Sequence, residues 1–382
     1  MARGRAKVGG ARKWLYAIIP VLGALFCLEI GLRIAGFHYE SFFECPTWWG
    51  RCADNPIFEA DPTLFWRLRA GANRDLNPRS RSTQAISSRG MRDDEIPIEK
   101  ADGEVRVLAL GDSCTFGDGV GNWETYSNVL ETLVRSAAPD RPVNVINAGV
   151  PGYTSYQVRT YLEQKLLSLE PDVVVVYVGF NDNITSQSGR SDRQLGEENP
   201  RDLLVQKLFG RLRTYQLINR YLSKARAELA RKHLEAAARD ELGDEETVPR
   251  VSSEAFQENL CAIEQLGRQR GFNLIVTTLP HVFDKEPERN LDVRAAVARC
   301  GIDVVDLWSI MKERQAVGLD LYTSDGGHPN VVGHRIVAQS LFRKFQELGL
   351  VPAGDVPPLP TIKETTPDPD EVPAAESKKA EL

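Results

Sequence analysis

Residues Val105–Gly119 read VRVLALGDSCTFGDG. An apolar run from Val105 to Leu110 ends in Gly111-Asp112-Ser113, and a glycine-rich turn follows. A strand that stops at a serine and then turns sharply presents a hydroxyl at the carboxyl edge of a sheet. Open α/β sheets build their sites there. The flanking chain repeats the pattern. Glu124 to Ala138 has apolar residues at helical spacing (Tyr126, Val129, Leu130, Leu133) and stops at Pro139. Val143 to Asn147 is the next strand, and Ser155 to Leu169 the next helix. Asp172 to Val178 (DVVVVYV) is a β-branched run of the kind buried on both faces of a parallel sheet. Glu254 to Arg270 then reads as a helix closed by Gly271, and Phe272 to Leu279 as the fourth strand. Arg289 to Cys300 is a helix, Ile302 to Leu307 the fifth strand and Val331 to Leu348 the last helix. Consecutive strand–helix units predict an α/β fold with a parallel sheet covered by helices.

Three segments stand outside this alternation. Residues 37–103 read as an irregular lead-in, in which Trp48, Trp49, Phe58, Phe65 and Trp66 are expected to pack and Asn73 to Arg92 to form an exposed loop. Its two readings are an arm lying across the main domain and a wall of the substrate site. Residues 186–250 are polar and charged, with helical patterns at Leu203–Phe209, Tyr215–Leu222 and Ala225–Leu242. They read as a helical insertion, either capping the site or contacting a partner, or simply a solvated excursion. Residues 351–382 are rich in Pro, Glu and Asp and are expected to be disordered. The strand–helix core then spans residues 104–350, with residues 186–250 inserted in it.

The charge is unevenly placed. The chain of 382 residues has a net charge of -6, 26% charged and 42% hydrophobic residues, an ordinary globular balance with no basic stripe for nucleic acid. Residues 1–13 nevertheless carry Arg3, Arg5, Lys7, Arg12 and Lys13 and no acid. Trp14 to Gly36 follows, uncharged until Glu29 and Arg33, which lie four apart and can pair on one helix face. This predicts a transmembrane anchor over residues 14–36. The alternative is a cleaved signal peptide, but no small-x-small cleavage site follows, and Phe26 before Cys27 argues against a lipoprotein cysteine. Positive residues on the inside place residues 1–13 in the cytoplasm and the rest outside, as in a bacterial envelope. Cys45 with Cys52 and Cys261 with Cys300 are two possible disulfides in such an oxidising space, and no cysteine cluster has zinc spacing.

Four short stretches end strands or precede the last helix: Gly111-Asp112-Ser113, Asn147–Ser155 (NAGVPGYTS), Gly179-Phe180-Asn181-Asp182 and Asp325-Gly326-Gly327-His328-Pro329. With these in order, the chain resembles the SGNH/GDSL hydrolases, a family of esterases, lipases and acyl-ester hydrolases. The resemblance covers roughly residues 104–348, the insertion matching least. It implies a three-layer α/β/α sandwich, flavodoxin-like, with a five-stranded parallel sheet.

The roles follow from chemistry and from the resemblance together. A serine hydroxyl is weak at its free pKa and needs a base within hydrogen-bond reach. His328 is the candidate base for Ser113, and Asp325, three residues earlier, would orient the imidazole. Pro329 is expected at the first position of the last helix. The resemblance implies an oxyanion hole from the backbone N–H groups of Ser113 and Gly152 and the side-chain amide of Asn181. It implies no metal and no cofactor. Asp112 and Asp182 read as turn residues, Cys114 and His334 as packing, and His281 as a structural residue after the fourth strand. Bulky Phe180 suggests a site narrowed toward small acyl groups. The expected activity is cleavage of a carboxylic ester through an acyl-enzyme on Ser113, on a small-molecule, lipid or glycan substrate. The alternatives are an acyltransferase to an envelope polysaccharide using the same residues, and a non-catalytic envelope binding module.

Overall fold

A computed structural model describes residues 10–39, 57–77, 82–186, 189–197, 205, 208–222, 225, 248–282 and 285–359. In chain order the elements are α1 (Gly10–Ile34), β1 (Phe58–Asp61), β2 (Phe65–Leu68), β3 (Asn73–Asn77), β4 (Ser82–Ala85), β5 (Val105–Gly111), α2 (Ser113–Phe116), α3 (Tyr126–Ala137), β6 (Val143–Gly149) and α4 (Ser155–Tyr161). They continue as β7 (Val173–Tyr177), α5 (Asp192–Glu197), α6 (Ser253–Arg270), β8 (Asn273–Thr277), α7 (Arg289–Cys300), β9 (Asp303–Val305), α8 (Leu307–Ala316) and α9 (Val331–Glu347). The chain forms two compact units. The sheet unit is Ala70–Gly179 with Gln257–Leu382, and the insertion unit is Met1–Arg69 with Phe180–Phe256.

The sheet unit is built on five parallel strands in the order β6-β5-β7-β8-β9. β5 is flanked on both sides, with Leu108 opposite Ile146 of β6 and Val174 of β7. Every residue of β5 and β7 is buried, which is why both read as unbroken apolar runs. Two groups of helices are tied together. The backbone N–H of Tyr126 at the start of α3 donates to Nδ1 of His334 in α9 at 3.1 Å, and the two rings stack. Burial lowers the His334 imidazole to about 3, so it stays a neutral acceptor there. On the other side, Asn259 of α6 donates to Ser155 Oγ of α4 at 3.0 Å, and Gln257 of α6 donates to Asp292 of α7 at 3.0 Å. The chain leaves β5 through α3 to β6 and returns through α4 past β5 to β7. Right-handed crossovers then put these two groups on opposite faces of the sheet.

Several sequence expectations shift. The helix expected over Ser155–Leu169 is regular only to Tyr161 and continues as a π-turn and a 3-10 turn to Leu169. The fifth strand ends at Val305, because Asp306 caps a helix not foreseen from sequence, α8. The lead-in is not wholly irregular: β1 pairs with β2 and β3 with β4, both antiparallel. Asn73–Arg92 therefore contains a hairpin, and Arg92 at its end is fully buried. Trp48, Trp49, Cys45, Cys52 and residues 360–382 of the expected tail lie outside the described residues.

In the insertion unit, Ile57, Phe58, Leu64, Phe65, Trp66 and Leu68 are buried. The buried pair Arg250–Asp192 is held by two bonds, at 2.9 and 3.1 Å, and the Arg250 guanidinium lies over the Trp66 ring. Residues 213–222 are helical, as the spacing predicts for Tyr215–Leu222. Most of Leu203–Phe209 and Ala225–Leu242 lies outside the described residues. Among the described residues no helix is long and apolar enough to cross a membrane, so the span expected over residues 14–36 is not supported. The reason is visible in α1. Its uncharged stretch stops after 15 residues at Leu28, about 22 Å of helix against a hydrocarbon core of about 30 Å. Glu29 and Arg33 are engaged with the chain at Arg211–Thr214.

Of the two possible disulfides, Cys261–Cys300 is formed and ties the middle of α6 to the end of α7. Closing 39 residues of chain restricts the unfolded state. Replacing both cysteines with serine is expected to cost about 3 kcal/mol in guanidinium unfolding, and reductant should cause the same loss in the parent protein and none in the double variant.

Candidate active site

The serine sits where three strand ends are forced close together. α2 is one turn long and begins at Ser113. The Asp112 carboxylate caps it, accepting the N–H of Cys114 at 2.9 Å, and Gly117 closes it in the left-handed region at φ 88°. The turn lies so near the sheet that neither neighbouring strand end tolerates a side chain. A Cβ on Gly111 would stand 2.0 Å from the Tyr177 carbonyl oxygen of β7 and 2.2 Å from Thr115 Oγ1 of the turn, and one on Gly149 would stand 2.3 Å from the Phe116 nitrogen. Thr115 Oγ1 fills that space, accepting from the Tyr126 hydroxyl at 3.1 Å, and Asn147 Nδ2 donates to the Thr115 carbonyl at 3.0 Å. The position follows β5 next to β7, at the point where the strand order reverses.

Ser113 is nearly buried, and its Oγ lies 2.7 Å from His328 Nε2. His328 Nδ1 lies 2.6 Å from Asp325 Oδ2. The other carboxylate oxygen, Oδ1, accepts the N–H groups of Gly327 at 2.8 Å and His328 at 3.0 Å and the Thr323 hydroxyl at 2.9 Å. Burial alone would raise the Asp325 carboxyl, but the His328 and Gly327 amides and the His328 ring together lower it to about 2. It therefore stands as a carboxylate at neutral pH and can hold Nδ1 protonated, leaving Nε2 to accept from the serine. The loop is closed on itself: Thr323 N–H donates to the His328 carbonyl at 2.8 Å, and Tyr322 bridges Pro329. Pro329 is not the first helical residue, as the sequence reading expects. Asn330 is the cap of α9, accepting from Val332 and Gly333, so Pro329 stiffens the loop from outside the helix.

The remaining expected residues are placed as follows. Gly152 lies after β6 in the left-handed region at φ 79° and belongs to the sheet unit. Asn181 opens a one-turn helix, Asn181–Asn183, in the insertion unit and is buried. The Cys114 thiol is buried, and burial pushes it up, the neighbouring Asp112 adding to this, so it is no thiolate nucleophile. His281 meets Trp308 edge-on, and burial and Lys312 lower its imidazole, in keeping with a structural role. Asp182 uses its carbonyl to accept the N–H of Val251.

Arg92 was not singled out by the sequence reading. Its guanidinium donates to the carbonyls of Phe116, Gly117 and Val120 and to Asn122 Oδ1, and it lies over the Phe116 ring. Burial lowers this guanidinium to about 10, with Asp118 and Glu124 opposing the fall. It supplies donors to a turn that the helix pattern leaves without them. The only signal in the sequence is an arginine beside Met91 after a glycine, which the surrounding Arg, Ser and Asn residues disguise as a surface loop.

The arrangement is that of a hydrolase with a serine, a histidine and a carboxylate in line. The chain belongs to the GDSL-like lipase/acylhydrolase family, whose model matches residues 109–336. It is a serine hydrolase acting on ester bonds. No curated protein sequence matches it. Similar solved structures include an alpha/beta hydrolase enzyme from the metagenome of Lake Arreo, Spain, at 18% identity, covering 64% of this chain and 96% of that one with a TM-score of 0.41. An acetylxylan esterase from Geobacillus stearothermophilus is 17% identical, covering 65% of this chain and 96% of that one, also with a TM-score of 0.41.

Arg92→Met takes the charged donor from three buried carbonyls, leaving Phe116 only the long bond from Asn147 and Gly117 only that from Val120. It is expected to lower stability by at least about 3 kcal/mol and to reduce kcat more than KM on p-nitrophenyl acetate, since the turn carrying Ser113 loses its support. Chemical unfolding and steady-state kinetics on the same sample check both.

Proposed function

We propose that the protein cleaves a carboxylic ester through an acyl-enzyme on Ser113. The observation that carries this reading is the line of contacts Asp325–His328–Ser113, at 2.6 and 2.7 Å. As Ser113 Oγ attacks the ester carbonyl carbon, its proton passes to His328 Nε2. Collapse of the tetrahedral intermediate breaks the bond to the alcohol oxygen, which takes that proton from Nε2. Water then attacks the acyl-serine with His328 again as base, and the acid leaves. Asp325 orients the imidazole and stabilises its charged form.

The developing oxyanion requires preorganised donors. The reading assigns this to the backbone N–H groups of Ser113 and Gly152 and to the amide of Asn181, each at the position matching the family's motif. A glycine at position 152 suits the task twice over, since its φ of 79° is strained for other residues and the absent side chain lets an oxygen approach. The reading calls on no metal or cofactor, since base, orienter and oxyanion donors all come from the chain.

The reading also attaches the hydrolase to the extracytoplasmic face of a membrane through α1. Supporting this, Tyr16, Ile19, Leu22 and Phe26 are each more than half exposed, although apolar. Residues 1–13 carry five basic residues and no acid, and the Cys261–Cys300 disulfide suits an oxidising compartment.

On p-nitrophenyl acetate, with the full chain in detergent, Ser113→Ala and His328→Ala are each expected to lower kcat by at least about 10³-fold. Full activity in both variants refutes the mechanism. Asn181→Ala is expected to lose about 10²–10³-fold in kcat with little change in KM, and an unchanged kcat removes it from the oxyanion hole.

A further inference from the structure

The insertion unit contains a pocket of about 520 Å3 at the end of α1, lined by Arg33, His38, Arg211, Arg213, Tyr215 and Gln216 among others. None of its described lining residues is acidic. The walls are fixed by bonds, one of which pairs Arg33 with the Glu29 carboxylate at 2.8 Å. Glu29 accepts the N–H groups of Arg213 and Thr214 at 3.0 and 2.9 Å, capping the start of helix 213–222, while Arg33 donates to the Arg211 carbonyl at 3.0 Å. Gln216 is buried and donates to the Gly210 carbonyl at 2.8 Å, while its Oε1 accepts from Arg213 at 2.8 Å and from the Tyr39 N–H at 3.2 Å. Arg213 also meets His38 Nδ1. The Arg213 side chain thus bonds to His38 and Gln216, and Arg33 is the one arginine of the three with a carboxylate partner for its side chain among the described contacts, Glu29.

With Arg33 paired to Glu29, Arg211 and Arg213 add positive charge to a concavity whose described lining holds no acid, a setting that attracts an anion. Guanidinium forks match phosphate oxygens in pairs, so phosphate is the chemistry this lining recognises. We propose that the pocket binds a phosphate group, carried either by an anionic lipid headgroup or by free phosphate. The neighbouring segment exposes Leu208, Phe209, Tyr221 and Leu222, and aromatic and aliphatic side chains beside arginines suit the headgroup level of a bilayer. The lipid source rests on the membrane attachment proposed above, whereas the phosphate site itself does not.

The test uses the full chain in nonionic detergent. Native mass spectrometry with equimolar dioleoylphosphatidylglycerol and dioleoylphosphatidylcholine reads lipid retention, and calorimetric titration with inorganic phosphate reads the free ion. The expected result is preferential retention of phosphatidylglycerol, weakened about tenfold or more by Arg211→Gln/Arg213→Gln, as loss of two charged donors requires. Saturable heat with inorganic phosphate and no lipid preference assigns a soluble phosphate instead. Neither lipid preference nor phosphate binding overturns the proposal, as does binding unchanged in the double variant. Arg211→Gln alone, at an exposed side chain, should weaken binding in the same direction and is the control if the double variant misfolds. Hydrolysis of p-nitrophenyl acetate, measured on each sample, separates failure of this site from failure of the esterase reading.

Discussion

The placement of Ser113 depends on an absence of side chains. α2 rests directly on the ends of β5 and β6 because Gly111 and Gly149 carry no Cβ, and any larger residue would collide with backbone atoms that cannot move aside. This proximity keeps Ser113 nearly buried while its Oγ meets His328 at 2.7 Å. It also explains the supports beneath the turn. A helix of four residues has few internal bonds, so its carbonyls are satisfied from outside, by Asn147 from β6 and by Arg92 from the lead-in. The serine is therefore positioned by strands and by a buried cation rather than by the helix it opens.

His328 is positioned on the opposite logic. His328 lies on a loop, and the loop supplies its own rigidity. One oxygen of Asp325 organises the turn through two backbone N–H groups, and the other orients the imidazole. Because the same carboxylate performs both tasks, its loss would release the turn as well as the tautomer. Asn330 then hands the chain to α9, whose His334 is held neutral against α3. The two loops that carry Ser113 and His328 thus meet over a sheet edge to which each is fastened separately.

Much of this was legible from sequence because it rests on local patterns. Strands buried on both faces must be apolar throughout, and DVVVVYV announces one such strand. Glycine, aspartate and serine at a strand end, and aspartate three residues before histidine, are short-range signals of chemistry. What stayed hidden is long-range. Arg92 is an ordinary charged residue until the carbonyls that it serves arrive from residues 116–120. β3 and β4 sit in composition that favours loops, and pairing rather than propensity makes them strands. α8 was missed because a short fifth strand and its helix merge into one apolar run, Ile302 to Leu307, divided only by the capping Asp306.

The charged pair at the end of α1 shows how a local rule can be satisfied and still mislead. Glu29 and Arg33 do bond, at 2.8 Å, as residues four apart on a helix should. Such a pair on its own contributes little, and in the sequence it only ends the uncharged stretch. Its larger consequence is non-local. Glu29 satisfies the first amides of helix 213–222, and Arg33 satisfies a carbonyl just before them. The end of α1 is thus bonded into the folded insertion unit. Cutting the chain after residue 36 to make the hydrolase easier to handle would remove those partners and uncap that helix, so the full chain is the proper object for measuring what this protein binds.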